Sequence, residues 1–124
     1  MMKIKPWLSG LGLMLGPLAA VAAGDFADPG NLAQLWQQDI ARPGYDQYMQ
    51  AFIQYNNSLH LDSEGNCYKV AKAPVTLYLV IEDRYVTYVT PETDDEKSLC
   101  FRESYLGLRT KAPPFSPFVI KMQF

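Results

Sequence analysis

The sequence has little material from which to build a catalytic or metal centre. Of its 124 residues one is a histidine, His60, and two are cysteines, Cys67 and Cys100. There is no G-x-S-x-G motif for a serine nucleophile and no glycine-rich loop to hold a phosphate. A catalytic nucleophile needs a base and an orienting group beside it. One histidine and two cysteines are also too few ligands for a convincing zinc site. We therefore expect no enzyme activity, no metal and no cofactor.

Basic residues are also scarce relative to acidic ones. The chain has 11 basic and 13 acidic residues, and without Lys3 and Lys5 nine basic residues stand against thirteen acidic ones, a net charge of −4. A protein that follows a phosphate backbone or an anionic membrane needs a basic surface. We expect neither nucleic acid nor a membrane surface as the partner.

Residues 1–23 are predicted to be a signal peptide rather than part of the fold. Lys3 and Lys5 precede an uncharged apolar run, which ends in the small residues 20–23. This order is typical of a secretory signal cleaved after Ala23. A retained membrane anchor is the alternative, but the run is shorter than the roughly 20 apolar residues of a spanning helix. We expect an exported, periplasmic protein without membrane insertion after cleavage.

Cys67 and Cys100 both lie in the exported part of the chain. In an oxidising compartment, two cysteines most simply form one disulfide. Closing the loop between them is worth roughly 3–4 kcal/mol in the chain-entropy model. A free thiol pair and a pair of metal ligands are the alternatives.

Two helices are predicted before the cysteines. Asn31 is the expected N-cap of the first, which spans residues 31–41, and Pro43 with Gly44 marks a corner. The second begins at Tyr45 and has an apolar stripe, which we interpret as core packing rather than as a ligand cleft. The stripe consists of Tyr45, Tyr48, Met49, Phe52, Ile53 and Leu59.

The rest of the chain alternates between strand and helix patterns. Strands are predicted at 67–73, 75–82, 85–90 and 118–124, with a helix after Thr93 or Asp94 that ends at Gly107. Both faces of the central hairpin are apolar, so we expect other elements to cover each side. The predicted fold is α+β, with two N-terminal helices, a three-to-four-stranded, mostly antiparallel sheet and a helix before the last strand. Residues 24–44 hold the first helix and corner, and 45–124 form the α+β domain.

Two arginines of this last helical segment are candidate binding residues. Arg102 and Arg109 lie seven positions apart, near one face of the predicted helix, where they would accept a partner's carboxylates. The alternative is that they only complete the positive charge favoured at the C-terminal end of a helix.

Four motifs after Tyr45 follow one another in an order that is typical of a known family. They are GNCYKV after a helix, the hairpin VTLYLVIEDRYVTYVT, SLC at the next helix, and KAPPF before the last strand. Over residues 45–124 the chain thus resembles the C-terminal domain of TolA, in the TonB/TolA C-terminal superfamily. The resemblance implies a domain in the periplasm of a Gram-negative bacterium. Such a domain binds proteins of the cell envelope, often by adding a partner's strand to its sheet edge.

The last strand is the candidate edge for this contact, and its lysine is a charge that discourages indiscriminate pairing. A periplasmic inhibitor or immunity protein against a toxin or hydrolase is the alternative function. A small-molecule carrier that uses the aromatic interior is a third. The candidate partner-binding residues are Phe118, Val119, Ile120, Lys121 and Met122, together with Arg102 and Arg109.

Overall fold

The elements are described here from a computed structural model, over residues 23–59 and 67–124. The predicted signal peptide, apart from Ala23, lies outside these residues, as does His60. The described part contains three α-helices and three β-strands, with short 3-10 segments at Ala23–Ala27 and Cys67–Lys69. The helices are α1 (Pro29–Asp39), α2 (Tyr45–Leu59) and α3 (Glu96–Tyr105), and the strands are β1 (Thr76–Glu82), β2 (Tyr85–Pro91) and β3 (Phe118–Gln123).

The three strands form one antiparallel sheet in the order β2-β1-β3. β1 and β2 are joined by a two-residue turn at Asp83 and Arg84, where Asp83 has a positive φ of 62°. Aspartate tolerates this left-handed conformation better than most residues. The α+β class and the central hairpin are confirmed.

Alternate residues of β1 point into two separate cores. Leu77, Leu79 and Ile81 are 0% exposed and pack against α2 and α3. Tyr78 and Val80 face the opposite way, toward α1 and the first 3-10 segment. Burying each such aliphatic side chain contributes about 1.5–3 kcal/mol relative to leaving it in water. The sheet is therefore covered on both faces, as the apolar hairpin predicted.

The corner between α1 and α2 takes the chain from one face of the sheet to the other. Gly44 in this corner has a φ of +88°, and a Cβ placed on it would lie 3.1 Å from the Cβ of Pro114. Glycine is required there both by the left-handed backbone and by the close neighbour. The corner fixes how α1 and α2 approach β3.

The predicted disulfide is confirmed, but the strand predicted beside it is wrong. Cys67 is bonded to Cys100, with the two Cα atoms 5.5 Å apart. Residues 67–69 form a 3-10 turn and no strand follows until Thr76. The disulfide ties this segment to α3, and Pro74 cannot donate to a strand ladder. The sheet accordingly has three strands in the described part of the chain.

Both predicted N-caps are displaced along the chain. Asp28, not Asn31, caps α1, because its Oδ1 accepts from the Gly30 backbone N–H at 3.0 Å and Pro29 fills the first helical position. Asp95, not Thr93 or Asp94, caps α3 by accepting from the Ser98 N–H at 2.8 Å. That hydrogen bond holds the pKa of the Asp95 carboxyl below its usual value. A cap is chosen by backbone geometry, which a sequence pattern locates only to within a few positions.

The apolar stripe of α2 is partly confirmed. Tyr45 and Phe52 are buried, whereas Ile53 is 49% exposed, so its assignment to the core is wrong. The buried position on the next turn is polar. Asn56 accepts a hydrogen bond from the Tyr105 hydroxyl at 2.6 Å, which joins α2 to α3.

Candidate functional site

The outer edge of β3 is defined by its pairing with β1. Val75 and Phe124 exchange both backbone hydrogen bonds, at 2.9 and 3.0 Å. Because antiparallel residues alternate between facing the neighbouring strand and facing away, the backbone groups of Val119, Lys121 and Gln123 point away from β1. These three residues decide whether a further strand fits on this edge.

At one end the chain closes this edge with its own side chains. The Val119 N–H donates to Oδ2 of Asp39 at 3.0 Å, and the Tyr45 hydroxyl donates to the Val119 carbonyl at 2.7 Å. Arg42 lies 3.8 Å from the other Asp39 oxygen, and its guanidinium sits 3.6 Å above the ring of Phe115. A partner strand has no free backbone group to bond at Val119.

The closing groups are themselves perturbed by burial. Burial raises the pKa of Asp39, and the Val119 hydrogen bond and Arg42 only partly offset that effect. Burial likewise raises the pKa of the Tyr45 hydroxyl well above its usual value. Tyr45 therefore remains a hydrogen-bond donor throughout the physiological range.

At the other end the backbone of β3 is open. No residue of the described ranges 23–59 and 67–124 bonds the outward N–H or C=O groups of Lys121 or Gln123. The Lys121 ammonium lies 4.9 Å from the centre of the Trp36 ring, so its charge is held toward α1. Strand addition at this end has two residues available to it.

The open end is supported from the α3 side. The ring of Phe124 stacks on Phe101 at a centroid distance of 3.9 Å, and Tyr68 meets Phe101 edge-on at 5.2 Å. The Lys97 ammonium donates to the carbonyls of Ala73 and Phe124, at 3.0 and 3.3 Å. The strand is therefore held in place although its outer backbone groups are free.

The structure separates the residues that the sequence had grouped as one candidate surface. The side chains of Phe118, Val119 and Ile120 are buried, and those of Lys121 and Met122 are partly buried, so only the backbone of this strand is offered to a partner.

The expectation that Arg102 and Arg109 share a helical face is wrong. α3 ends at Tyr105, before Gly107 with its φ of +86°. Arg102 lies on a shallow surface beside β2. Arg109 instead forms an isolated antiparallel β-bridge with Tyr85 through its backbone. The chain leaves the helix between the two arginines because Gly107 accepts the left-handed conformation that ends it.

Arg109 belongs to a cleft that the sequence did not predict. The cleft has a volume of about 300 Å³ and lies between α2, the β1–β2 turn and residues 109–111. Its walls are aromatic and aliphatic, and its rim is cationic. The lining residues are Tyr48, Ala51, Phe52, Tyr55, Arg84, Arg109, Thr110 and Lys111. The seven-residue spacing of the two tyrosines on α2 was the one available signal, since it places them on the same helix face.

Within residues 23–59 and 67–124 no three His, Cys, Asp or Glu side chains are grouped to hold a metal ion. The same residues contain no helix long and apolar enough to cross a bilayer. Comparison with protein-family models, with curated proteins and with solved structures found no match. The geometry of the two surfaces is therefore the basis for a functional proposal.

Proposed function

We propose that this chain is an exported, non-catalytic protein-binding domain of TolA/TonB C-terminal type, to whose sheet a partner adds a strand at the open end of β3. The observation that supports the proposal is the outward, unbonded backbone of Lys121 and Gln123. Main-chain hydrogen bonds supply the affinity in this mode of recognition. The pattern of motifs shared with the family supports the same mode.

The length of the open end limits the partner to a short strand. Val119 is closed by Asp39 and Tyr45, so only the two residues beyond it along the edge present their N–H and C=O groups. Specificity must then come from side chains of the elements around the open end rather than from the strand itself. The proposed partner is a cell-envelope protein with a short, exposed strand.

Replacing one backbone donor tests the proposal directly. Lys121→Pro removes an outward N–H, which an edge strand tolerates, whereas a proline at Val119 or Ile120 would break bonds that hold the fold. The matched control is Lys121→Thr, which loses the same side chain but keeps the N–H. Peptides selected on the wild-type domain from a phage-displayed random library should lose binding to Lys121→Pro and retain it with Lys121→Thr. Peptides that bind both variants equally, with both variants folded by circular dichroism, would contradict strand addition at this end.

The proposed export has a separate test. Intact mass of the protein isolated from its host under non-reducing conditions should correspond to a chain that begins at Gly24 and has lost two hydrogens to the disulfide. A mass that retains residues 1–23 would refute the cleavage.

A further inference from the structure

We propose that the cleft between α2 and residues 109–111 is a second binding site, which takes an acidic peptide segment with one apolar anchor side chain. This inference is independent of strand addition at β3. It starts from the charges around the cleft. Arg84, Arg109 and Lys111 contribute three cations to its lining, which includes no carboxylate, although the chain as a whole is acidic.

These cations have no internal counter-ions in the part of the chain that the structure describes. The single ion pair found there joins Arg42 to Asp39, at the C-terminal end of α1. The carboxylate of Glu82, near the turn, accepts a hydrogen bond from the Thr87 hydroxyl at 2.6 Å. Three like charges around one cleft repel each other, and an anionic ligand would relieve that repulsion.

The backbones that carry the cations are fixed by other cleft residues. The Tyr55 hydroxyl donates to the Arg109 carbonyl at 3.0 Å, and the Tyr48 hydroxyl donates to the Lys111 carbonyl at 2.8 Å. Buried Thr110 donates its N–H to the Arg84 carbonyl at 2.7 Å. Each cation-bearing residue is thus anchored to the rest of the cleft, which lowers the entropy cost of ordering the site around a ligand.

The same hydrogen bonds determine the character of the walls. Because both tyrosine hydroxyls donate to backbone carbonyls, the rings of Tyr48 and Tyr55 present apolar surface to the cleft, beside Phe52 and Ala51. An apolar floor with a cationic rim matches a ligand that has an apolar group between negative charges.

The volume of the cleft and the spread of its positive charges favour an acidic peptide over a fatty acid. A volume of about 300 Å³ is at the lower end of the roughly 300–1,000 Å³ found for ligand pockets. It is large enough for an aromatic anchor side chain of a peptide. Arg84, Arg109 and Lys111 are all exposed, and they come from two segments of the chain, the β1–β2 turn and residues 109–111. Several carboxylates spaced along a peptide satisfy such a rim better than the one head group of a fatty acid.

Fluorescence anisotropy with a defined probe tests this site. The probe is a labelled peptide with phenylalanine between two pairs of glutamates. Two control peptides are used, one with glycine in place of the phenylalanine and one with lysines in place of the glutamates. The wild-type domain should bind the probe saturably, bind the glycine peptide more weakly and not bind the lysine peptide. Equal binding of the glycine peptide would overturn the apolar anchor.

Two variants place the binding in the cleft. The triple change Arg84→Gln, Arg109→Gln and Lys111→Gln should raise the Kd for the probe about tenfold or more, because three exposed ion pairs are lost. The control Lys69→Gln, Lys72→Gln and Arg102→Gln removes the same net charge from other exposed positions and should leave the Kd within about twofold. Equal weakening by both triple variants would show general charge attraction and refute the site.

A third variant keeps every charge and fills the space. Ala51→Phe should abolish probe binding while circular dichroism shows an unchanged fold, and unchanged binding would overturn the proposal. Tighter binding of dodecanoate than of the probe would refute the peptide as occupant. Lys121→Pro should bind the probe like the wild type, so that failure at this cleft and failure of strand addition at β3 are distinguished.

Discussion

The two ends of β3 belong to one strand, yet the molecule completes them by different means. At Val119 the outer backbone groups are bonded to the Asp39 carboxylate and the Tyr45 hydroxyl. At Lys121 and Gln123 they are bonded to nothing in the described chain, and the strand is instead held by Phe124 stacked on Phe101. The first end uses hydrogen bonds along the edge, and the second uses packing on one face.

The difference shows how a domain can keep a sheet edge both ordered and available. Hydrogen bonds to the edge stabilise the strand but occupy the groups that a partner would use. Packing against α3 leaves the outward backbone groups of the strand free. The Cys67–Cys100 disulfide in turn ties α3 to the 3-10 segment Cys67–Lys69. An edge that is ordered before binding costs less entropy to engage.

The largest expected effect is loss of the support beneath the open end. Changing both Cys67 and Cys100 to serine should lower the free energy of unfolding by about 3–4 kcal/mol, because the unfolded chain regains the freedom that the closed loop removes. Urea-induced unfolding followed by circular dichroism measures this. The reduced wild-type protein is the control and should match the double variant. A loss below about 1 kcal/mol would mean that aromatic packing alone holds this end.

Removing the carboxylate at the closed end should have the next largest effect. Asp39→Ala leaves the buried Val119 N–H without an acceptor and should cost about 1–3 kcal/mol in the free energy of unfolding. Asp39→Asn is the matched control, because its amide oxygen still accepts that bond, and it should cost less. If alanine and asparagine are equally destabilising, the hydrogen bond does not stabilise this end as the comparison requires.

The side chain of Lys121 allows a smaller test at the open end. Lys121→Gln removes the cation 4.9 Å from the Trp36 ring and should cost about 0.5–1 kcal/mol in thermal unfolding, as for other weakly buried cation–π pairs. Lys121→Arg keeps a cation over the ring and should be close to the wild type. A cost above about 2 kcal/mol would indicate that the open end depends on this contact and not mainly on α3.

The smallest expected change concerns pH at the closed end. Because burial raises the pKa of Asp39, the folded protein retains that proton to a higher pH than the unfolded chain does. The Asp39 contribution to the free energy of unfolding is therefore greatest below the ordinary carboxyl pKa of about 4 and falls as pH rises through the raised pKa.

Asp39→Asn isolates this contribution from that of other carboxyls, such as Asp95, whose lowered pKa acts in the opposite direction. The free energies of unfolding of the wild type and Asp39→Asn are measured in urea across the acidic range. As pH rises, the wild type should lose stability relative to Asp39→Asn. A difference that is constant with pH would contradict the raised pKa.

Sequence reasoning located the features that depend on local pattern. The alternating residues of 75–82 and 85–90 predicted the hairpin, and the terminal apolar segment predicted the strand that became Phe118–Gln123. Errors arose where a contact distant in sequence overrides the pattern. Residues 67–69 form a 3-10 turn tied to α3. Ile53 lies outside the core, whereas the polar Asn56 is buried and accepts a hydrogen bond from Tyr105.

The candidate site shows the same division. The sequence singled out the last strand as a sheet edge, and it also picked out Arg109. It could not show that Arg84 would meet Arg109 and Lys111 around a cleft, because the turn of a hairpin and a loop after α3 meet only in the folded sheet. Nor could it show that Asp39 would close one end of the strand, since that bond joins residues 80 positions apart.

The sequence by itself therefore determined the order of the three helices and the three paired strands, the pairing of the only two cysteines and the two apolar faces of the central strand. Periodicity and composition act over short stretches, and these features depend on them. The tertiary structure alone decided which half of β3 is open and where the cations gather. Both depend on the corner at Gly44 and the exit of the chain from α3 at Gly107, where two backbone turns bring distant polar groups together.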